Sequence, residues 1–288
     1  MKLTLQAPLP FQGQKRHFIK SVAQKIWRLP NDTVFVDLFG GSGLLSRVCK
    51  DVKPQSTVIY NDFDNYSERI RHIPETNRLL SQIRPLVVDL KPNQRFPVEI
   101  KQRTIELIQQ HNATYGYVDW ITLSSSILFS ASYYQTIEKF KVESLWNNVK
   151  INDYPDSMAY LDGLTIVRKD FSELLDEYCG HPKVVFLIDP PYNNTSLQSY
   201  GGKDFDYVDI LQLFHRVGSL SFLFFTDDRT SIVAAYKYLE ETYGVPNPFE
   251  DAERQEVYRY LGNKREYYDL MYARSPYFKE PSLFDSVE

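Results

Sequence analysis

The sequence Asp189-Pro190-Pro191-Tyr192 combines a carboxylate, two rigid prolines and an aromatic ring directly after the apolar run 184–188. The carboxylate can accept hydrogen bonds, and the ring can stack on a flat ligand. The apolar run predicts a buried parallel strand, which the prolines end because they cannot continue a hydrogen-bonded ladder. Open α/β sheets bind ligands at the carboxyl ends of their strands. An ordinary turn is the alternative, but the ring and a second such strand end upstream favour a site.

The second strand end follows the predicted strand 34–37, where the turn Gly40-Gly41-Ser42-Gly43 leads into a predicted helix. Glycines let the backbone approach a ligand closely, and a helix N-terminus offers free N–H donors to negative charge. The spacing is not that of the dinucleotide fingerprint G-x-G-x-x-G, so this turn is a weak indication by itself.

A third strand, 57–60, ends at Asn61-Asp62, about 20 residues after the glycine-rich turn. An acidic residue at this place holds ribose hydroxyls in α/β nucleotide-binding folds. Asp62 could also cap the next helix. The two roles are compatible, and the combined pattern favours the ribose.

Lys15 follows a loop rich in proline and glycine, near the start of a helix predicted from the spacing of Phe18, Val22, Ile26 and Leu29. A lysine beside a glycine turn could meet a carboxylate ligand. From local evidence alone, a solvated lysine is the better interpretation.

The remaining pattern predicts an α/β fold with a mostly parallel, Rossmann-like sheet. Further parallel strands are expected at 164–167 and 221–226, and an antiparallel edge hairpin at 256–260 and 266–272 with its turn at 262–265. Between the flanks, periodic apolar positions and polar clusters predict a mainly helical insertion. The expected domains are a catalytic domain of residues 1–63 and 161–288 and an insertion of residues 64–160.

Composition limits the classes of protein that fit. The chain has 288 residues, 15% aromatic residues and a formal net charge of −4, which argues only mildly against a nucleic-acid partner. Cys49 and Cys179 show neither metal-ligand nor disulfide spacing, as expected for a cytoplasmic protein. We see no membrane span and no signal-peptide segment.

Four motifs in fixed order make the chain resemble a class I S-adenosylmethionine-dependent methyltransferase, specifically a Dam-like (D12 class) DNA adenine-N6 methyltransferase. Residues 11–15 (Phe-Gln-Gly-Gln-Lys) resemble its aromatic-x-Gly-Gly-Lys motif, with Gln14 replacing the second glycine. Residues 37–43 resemble its cofactor loop, in which Asp37-Leu38 departs from the frequent Glu-Pro pair. Asp170-Phe171 and Asp189-Pro190-Pro191-Tyr192 complete the set.

The resemblance implies roles for particular residues. Asp189 and the Pro190 carbonyl would accept hydrogen bonds from the adenine amino group and direct its lone pair toward the methyl sulfonium. Tyr192 would stack on an adenine flipped out of the duplex. Lys15 would pair with the methionine carboxylate of the cofactor, which replaces the local interpretation above. The full expected cofactor set is Phe11, Lys15, Asp37, Phe39, Gly40, Gly41, Gly43, Asp62, Asp170, Phe171 and Asp189.

The implied function is site-specific methylation of adenine N6 in double-stranded DNA, with S-adenosylmethionine and no metal. Residues 64–160 would be the target-recognition domain, and the protein would be a monomer of the restriction–modification, phage or mobile-element kind, with a cognate endonuclease as a possible partner. An RNA base-amino methyltransferase of the same fold is the alternative, since Asp-Pro-Pro-Tyr also serves RNA. A binding module without catalysis is the other, and intact Asp189 and Tyr192 speak against it.

Overall fold

The computed structural model describes residues 3–129, 132–191, 205–260 and 266–278. Within these residues, seven strands form one sheet in the order β3-β2-β1-β4-β5-β7-β6. The strands are β1 (Val34–Asp37), β2 (Thr57–Asn61), β3 (Thr165–Val167), β4 (Val184–Ile188), β5 (Ser221–Asp227), β6 (Glu253–Tyr260) and β7 (Glu266–Arg274). The first five are parallel, and β7 is antiparallel to both β5 and β6, as the sequence predicts.

Ten α-helices accompany the sheet in the described residues. They are α1 (Ile19–Arg28), α2 (Leu44–Val52), α3 (Tyr66–Arg71), α4 (Ile73–Ile83), α5 (Val98–Tyr115), α6 (Trp120–Ile127), α7 (Ile137–Val142), α8 (Phe171–Tyr178), α9 (Tyr207–Val217) and α10 (Ile232–Tyr243). Short 3₁₀ helices cover Arg16–Phe18, Arg84–Val87 and Met158–Leu161.

Strand β4 is buried along its whole length because both faces of the sheet are covered. Val185 and Leu187 belong to an apolar cluster shared with α1 and α2, whereas Phe186 and Ile188 belong to a cluster shared with α8, α9 and α10. This explains why β4 appears in the sequence as an unbroken apolar run instead of an alternating one. Asp189 is thereby fixed at the end of a rigid central strand.

All described helices between β2 and β3 belong to the predicted insertion, which has an apolar cluster of its own, centred on α4, α5 and α6. A second cluster joins the start of the insertion to the N-terminal loop and β2, through Leu9, Tyr60, Tyr66 and Leu80. The insertion is helical as predicted, while its boundaries at 64 and 160 and its role in recognition stay predictions.

A buried ion pair connects the insertion to the N-terminal loop. The Arg69 Nε lies 3.0 Å from Asp119 Oδ1, and both residues are buried. Arg69 Nη2 also donates to the Pro10 carbonyl at 2.8 Å, one residue before Phe11. Asp119 accepts a further bond from the Thr122 amide, at the start of α6. One guanidinium therefore holds α3, α6 and the N-terminal loop together.

Asp119→Ala would leave this buried arginine without its counter-charge, and we expect the free energy of unfolding to fall by about 3–5 kcal/mol. The matched control is Glu106→Ala, which removes the partner of Arg103 in an exposed pair with side chains 53% and 43% accessible. That change should cost about 1 kcal/mol or less. Urea unfolding measures both, and equal losses would contradict the structural role of the Arg69 pair.

Candidate active site

A cavity opens at the carboxyl edge of the sheet between β1 and β4, where the strand order reverses direction. Ligand crevices of open α/β sheets form at such a reversal because the loops on either side diverge. The empty space, counted out through its open mouth into solvent, is about 960 Å³. Its walls include Phe11, Lys15, Phe39, Gly40, Gly41, Asn61, Phe63, Asp64, Asp170, Phe171, Asp189, Pro191, Phe205 and Asp209.

Lys15 and Asp189 form an ion pair on the cavity wall. The Lys15 Nζ lies 2.7 Å from Asp189 Oδ1 and also donates to the Gly13 carbonyl at 2.8 Å. Burial raises the pKa of Asp189, and the Lys15 ammonium opposes that rise because it favours the ionised carboxylate. The local interpretation of Lys15 as a solvated side chain is wrong, since only 7% of the residue is exposed.

Asp37 lies at the end of β1, beneath the cavity instead of on its wall. Its Oδ2 accepts a hydrogen bond from the Ser46 hydroxyl at 2.7 Å, while the buried Oδ1 has no hydrogen-bond partner. Burial raises the pKa of Asp37 to about 7, and the nearby Asp189 carboxylate adds to the rise. Asp37 is therefore a buried acid that is only partly ionised near neutral pH.

The glycine-rich turn after β1 requires glycine for steric reasons. A Cβ atom on Gly40 would lie 2.3 Å from the Tyr60 ring, and one on Gly41 would lie 2.9 Å from the Phe11 ring. Gly41 also has a φ of +49°, a conformation that disfavours other residues. The Tyr60 hydroxyl, 2.8 Å from the Gly41 carbonyl, fixes the turn further. The Phe11 ring therefore packs directly against the glycine-rich turn. Phe11 and the turn both line the cavity.

Asp62 caps the helix that follows it, which is one of the two roles its position allows. Its Oδ1 accepts from the Tyr66 amide at 2.6 Å and its Oδ2 from the Ser67 amide at 3.0 Å. Asp62 is not among the residues that line the cavity, whereas Asp64 is. Burial raises the pKa of Asp64 to about 6, and the charge of Asp62 adds to the rise. The ribose contact of Asp62 stays a prediction.

Three phenylalanines form an aromatic group on the opposite wall. Phe39 and Phe171 are stacked with ring centroids 5.4 Å apart, and Phe205 meets them edge-on at 5.2 and 5.5 Å. Asp170 caps α8 by accepting from the Ser172 amide, which places it beside Phe171 at the cavity. Such a wall offers apolar contact to a flat ring and a carboxylate at its edge.

The structure brings most of the predicted site together. Eight predicted residues line the cavity: Phe11, Lys15, Phe39, Gly40, Gly41, Asp170, Phe171 and Asp189. Asp37, Gly43, Asp62 and Pro190 lie outside the lining set, and Tyr192 lies outside the described residues, as does the turn 262–265.

Three of the cavity-wall residues that sequence reasoning missed are Asn61, Asp64 and Phe205. Asn61 is buried, and its side-chain amide donates to the carbonyls of Leu38 and Lys169 at 2.9 Å, so that it braces the chain after β1 and β3. Its position at a strand end was a usable indication, as was that of Asp64 shortly after it. Nothing in the sequence around Phe205 distinguishes it from other loop aromatics.

The side chains that line the cavity suit a ligand with a flat ring, hydroxyl groups and charges of both signs. Rings line one side, the carboxylates Asp64 and Asp170 can accept from hydroxyls, and Lys15 can pair with an anionic group. In the described part of the chain, no cluster of three or more His, Cys, Asp or Glu side chains could hold a metal ion. Nor does any helix there have the length and apolarity needed to cross a membrane.

Comparison with known proteins agrees with this geometry. Residues 11–259 match the family model described as D12 class N6 adenine-specific DNA methyltransferase. A Haemophilus influenzae protein provisionally named a methyltransferase is 39% identical over 243 residues, which cover 82% of this chain and 81% of that protein. A crystal structure of precorrin-6y C5,15-methyltransferase from Geobacter metallireducens is 11% identical with a TM-score of 0.39, covering 95% of this chain and all of that one. That last likeness is too remote to bear on activity.

Asp37→Asn should change how stability depends on pH, because the variant keeps the size of the side chain and loses its titration. The folded-state pKa of about 7 exceeds the ordinary 3.8, so the unfolded chain loses this proton first as the pH rises. Stability contributed by protonated Asp37 is complete below about pH 4 and is lost by about pH 7, with a slope up to about 1.4 kcal/mol per pH unit. Urea unfolding across this window should show the wild type weakening relative to the variant, and a constant difference would contradict the assignment.

Proposed function

We infer that this chain, which belongs to the D12 class N6 adenine-specific DNA methyltransferase family, transfers a methyl group from S-adenosylmethionine to N6 of adenine in DNA. Methyltransferase activity follows from the family, and the DNA adenine substrate is the proposal. The observation that carries it is the position of Asp189, which lines the same cavity as the glycine-rich turn and the aromatic wall. A carboxylate acceptor thus lies on the wall of a pocket that is also lined by aromatic rings.

The side chains that line the cavity fit the chemical groups of the proposed cofactor. The Phe39–Phe171–Phe205 group offers apolar contact to the cofactor adenine, and Phe11 closes the side above Gly41. Lys15 would pair with the methionine carboxylate, and the buried, unpartnered Asp37 Oδ1 lies below the turn as an acceptor for positive charge. When bound, S-adenosylmethionine supplies a methyl group on a sulfonium, which is already activated for transfer.

Asp189 would prepare the adenine amino group for that transfer. The lone pair of N6 is delocalised into the ring, so N6 is a poor nucleophile until acceptors hold its hydrogens. Asp189 and the Pro190 carbonyl would supply these acceptors, and the carboxylate would stabilise the positive charge that develops on N6. Lys15 favours the ionised, accepting form of Asp189. Tyr192 would stack on the flipped base.

Residues 64–160 are proposed to carry target recognition, which their separate apolar cluster supports. The Arg69–Asp119 pair would then hold the recognition helices in register with the loop that bears Phe11 and Lys15.

Asp189→Ala should lower turnover by about 10²–10³, the cost of a lost electrostatic contact in the transition state. To measure this, the protein is incubated with tritiated S-adenosylmethionine and a mixture of DNA and RNA, and the nucleic acids are then digested to nucleosides. The labelled nucleoside identifies the methyl acceptor, and the amount of label over time gives the turnover. The control is Asp176→Asn, a carboxylate on α8 with 76% of its side chain exposed. Label in N6-methyladenosine of RNA instead of in DNA would overturn the DNA assignment, and near-normal turnover of Asp189→Ala would remove Asp189 from the reaction.

Asp62→Ala and Asp64→Ala separate the two carboxylates that could hold the ribose. We expect Asp64→Ala to weaken cofactor binding by roughly 1–3 kcal/mol through an unpaired partner. Asp62→Ala should instead lower the free energy of unfolding by about 0.5–2 kcal/mol through a lost helix cap. Calorimetry and urea unfolding measure the two effects. The opposite result would assign the ribose contact to Asp62. In that case Asp62→Ala would weaken cofactor binding at unchanged stability, and Asp64→Ala would bind the cofactor normally.

A further inference from the structure

The β6–β7 hairpin extends past the carboxyl edge of the sheet. Strand β5 ends at Asp227, which is level with Asp269 of β7 and, through it, with Val257 of β6. Pairing between β6 and β7 continues beyond that level through Tyr258↔Tyr268, Arg259↔Tyr267 and Tyr260↔Glu266. At about 3.3 Å per residue, this part rises about 10 Å past the end of β5. It forms a wall on the β5 side of the edge where the cavity opens.

Arg229 lies against this wall and is held from below by a buried carboxylate. Asp227 is fully buried, and it accepts from the Arg229 amide at 3.0 Å and from Nε at 3.1 Å, with an ion pair to Nη2. The guanidinium lies over the Tyr267 ring, 4.5 Å from its centroid. These bonds leave Nη1 outside the Asp227 contact, and 45% of the Arg229 side chain is exposed.

Arg259 repeats the arrangement on the neighbouring strand, where it is the register partner of Tyr267. Its Nε lies 3.3 Å from Asp269 Oδ2, and its Nη1 contacts His17 Nε2. The arginine side chain is 33% exposed and that of Asp269 only 15%. Burial and the Arg259 charge lower the pKa of His17, which favours the neutral imidazole beside the guanidinium.

Both pairs have the cation outside and the carboxylate inside. The carboxylate anchors the guanidinium through hydrogen bonds at Arg229 and through an ion pair at Arg259, and the exposed nitrogens remain able to bind a second anion. The pair Arg254–Glu256 on the same strand differs, because its two side chains are about equally exposed, at 52% and 49%. Arg254 is an odd number of residues from Arg259, so its side chain lies on the other face of the strand.

The arginine pair adjoins the proposed catalytic carboxylate. His17 follows Lys15 by two residues, and Lys15 contacts Asp189. Burial raises the pKa of Asp269, while the charges of Lys15 and Arg259 both oppose that rise, so the two cations act on one carboxyl group. A polyanionic strand that entered the cavity mouth would pass along this wall.

We propose that Arg229 and Arg259 bind phosphates of the DNA strand that carries the target adenine, with His17 and Tyr267 positioning the two guanidinium groups. This inference rests on the proposed function. It assigns the catalytic domain a share of DNA binding that is separate from the helical insertion. Phosphate contacts of this kind fix the position of the strand and contribute no sequence preference.

The test measures binding of full-length protein to a fluorescent duplex of mixed sequence over a range of NaCl concentrations. Each phosphate contact contributes about 0.9 to the slope of log K against log salt. Arg229→Gln and Arg259→Gln should each weaken binding and reduce the slope by about one, and the double variant by about two. Arg254→Gln is the matched control and should keep the wild-type slope. Affinity for S-adenosylmethionine, measured by calorimetry, should stay the same in all four.

Arg229→Lys and Arg259→Lys test whether the glutamine variants lose DNA binding because they misfold. Each lysine keeps a positive charge beside the carboxylate that the arginine pairs with. These variants should retain most of the slope. Wild-type DNA binding and methylation with unchanged slopes in the glutamine variants would overturn this inference alone. Two other results would overturn both this inference and the proposed DNA substrate. One is that the wild type does not bind DNA. The other is that it binds an RNA hairpin more tightly than DNA, with the same reduction of the salt slope in the glutamine variants.

Discussion

The contact between Lys15 and Asp189 is the interaction on which the geometry of the site depends. It joins the N-terminal loop to the end of the central strand, and it places one positive and one negative charge on the wall of a largely apolar cavity. Burial raises the pKa of this carboxyl, which weakens it as an acceptor by favouring the protonated form. The ammonium opposes that outcome, so the position of the loop and the ionisation of Asp189 are linked.

The N-terminal loop is in turn held by the helical insertion. The Tyr66 hydroxyl bonds to both the amide and the carbonyl of Leu9, and Arg69 donates to Pro10. Since Arg69 is paired with Asp119 at the start of α6, any shift of the helices of the insertion would disturb the loop next to Phe11. The insertion is therefore part of the framework of the site, although it follows β2 in the sequence and has its own apolar cluster.

Charge at the carboxyl edge is arranged in layers. Asp37 lies beneath the glycine-rich turn, Asp227 lies beneath Arg229, and Asp269 is more deeply buried than Arg259. The guanidinium groups of Arg229 and Arg259 are thus more exposed than the carboxylates that they pair with, whereas Lys15 is less exposed than Asp189. This arrangement explains how a chain with a net charge of −4 can present positive groups to a polyanion, because only the face in contact must be positive.

The sequence alone predicted the sheet, the hairpin, the helical insertion and eight residues of the cavity wall, because strand-ending motifs and apolar runs are local patterns that parallel pairing brings to one edge. It allowed both roles of Asp62 and favoured the ribose, because the helix amides that occupy its carboxylate are formed only in the fold. Locally, Lys15 appeared solvated, and only the approach of β4 shows that it is buried against Asp189. The links Arg69–Asp119 and Arg259–His17 join residues distant in the chain, so no local pattern contains them and tertiary packing alone determines them.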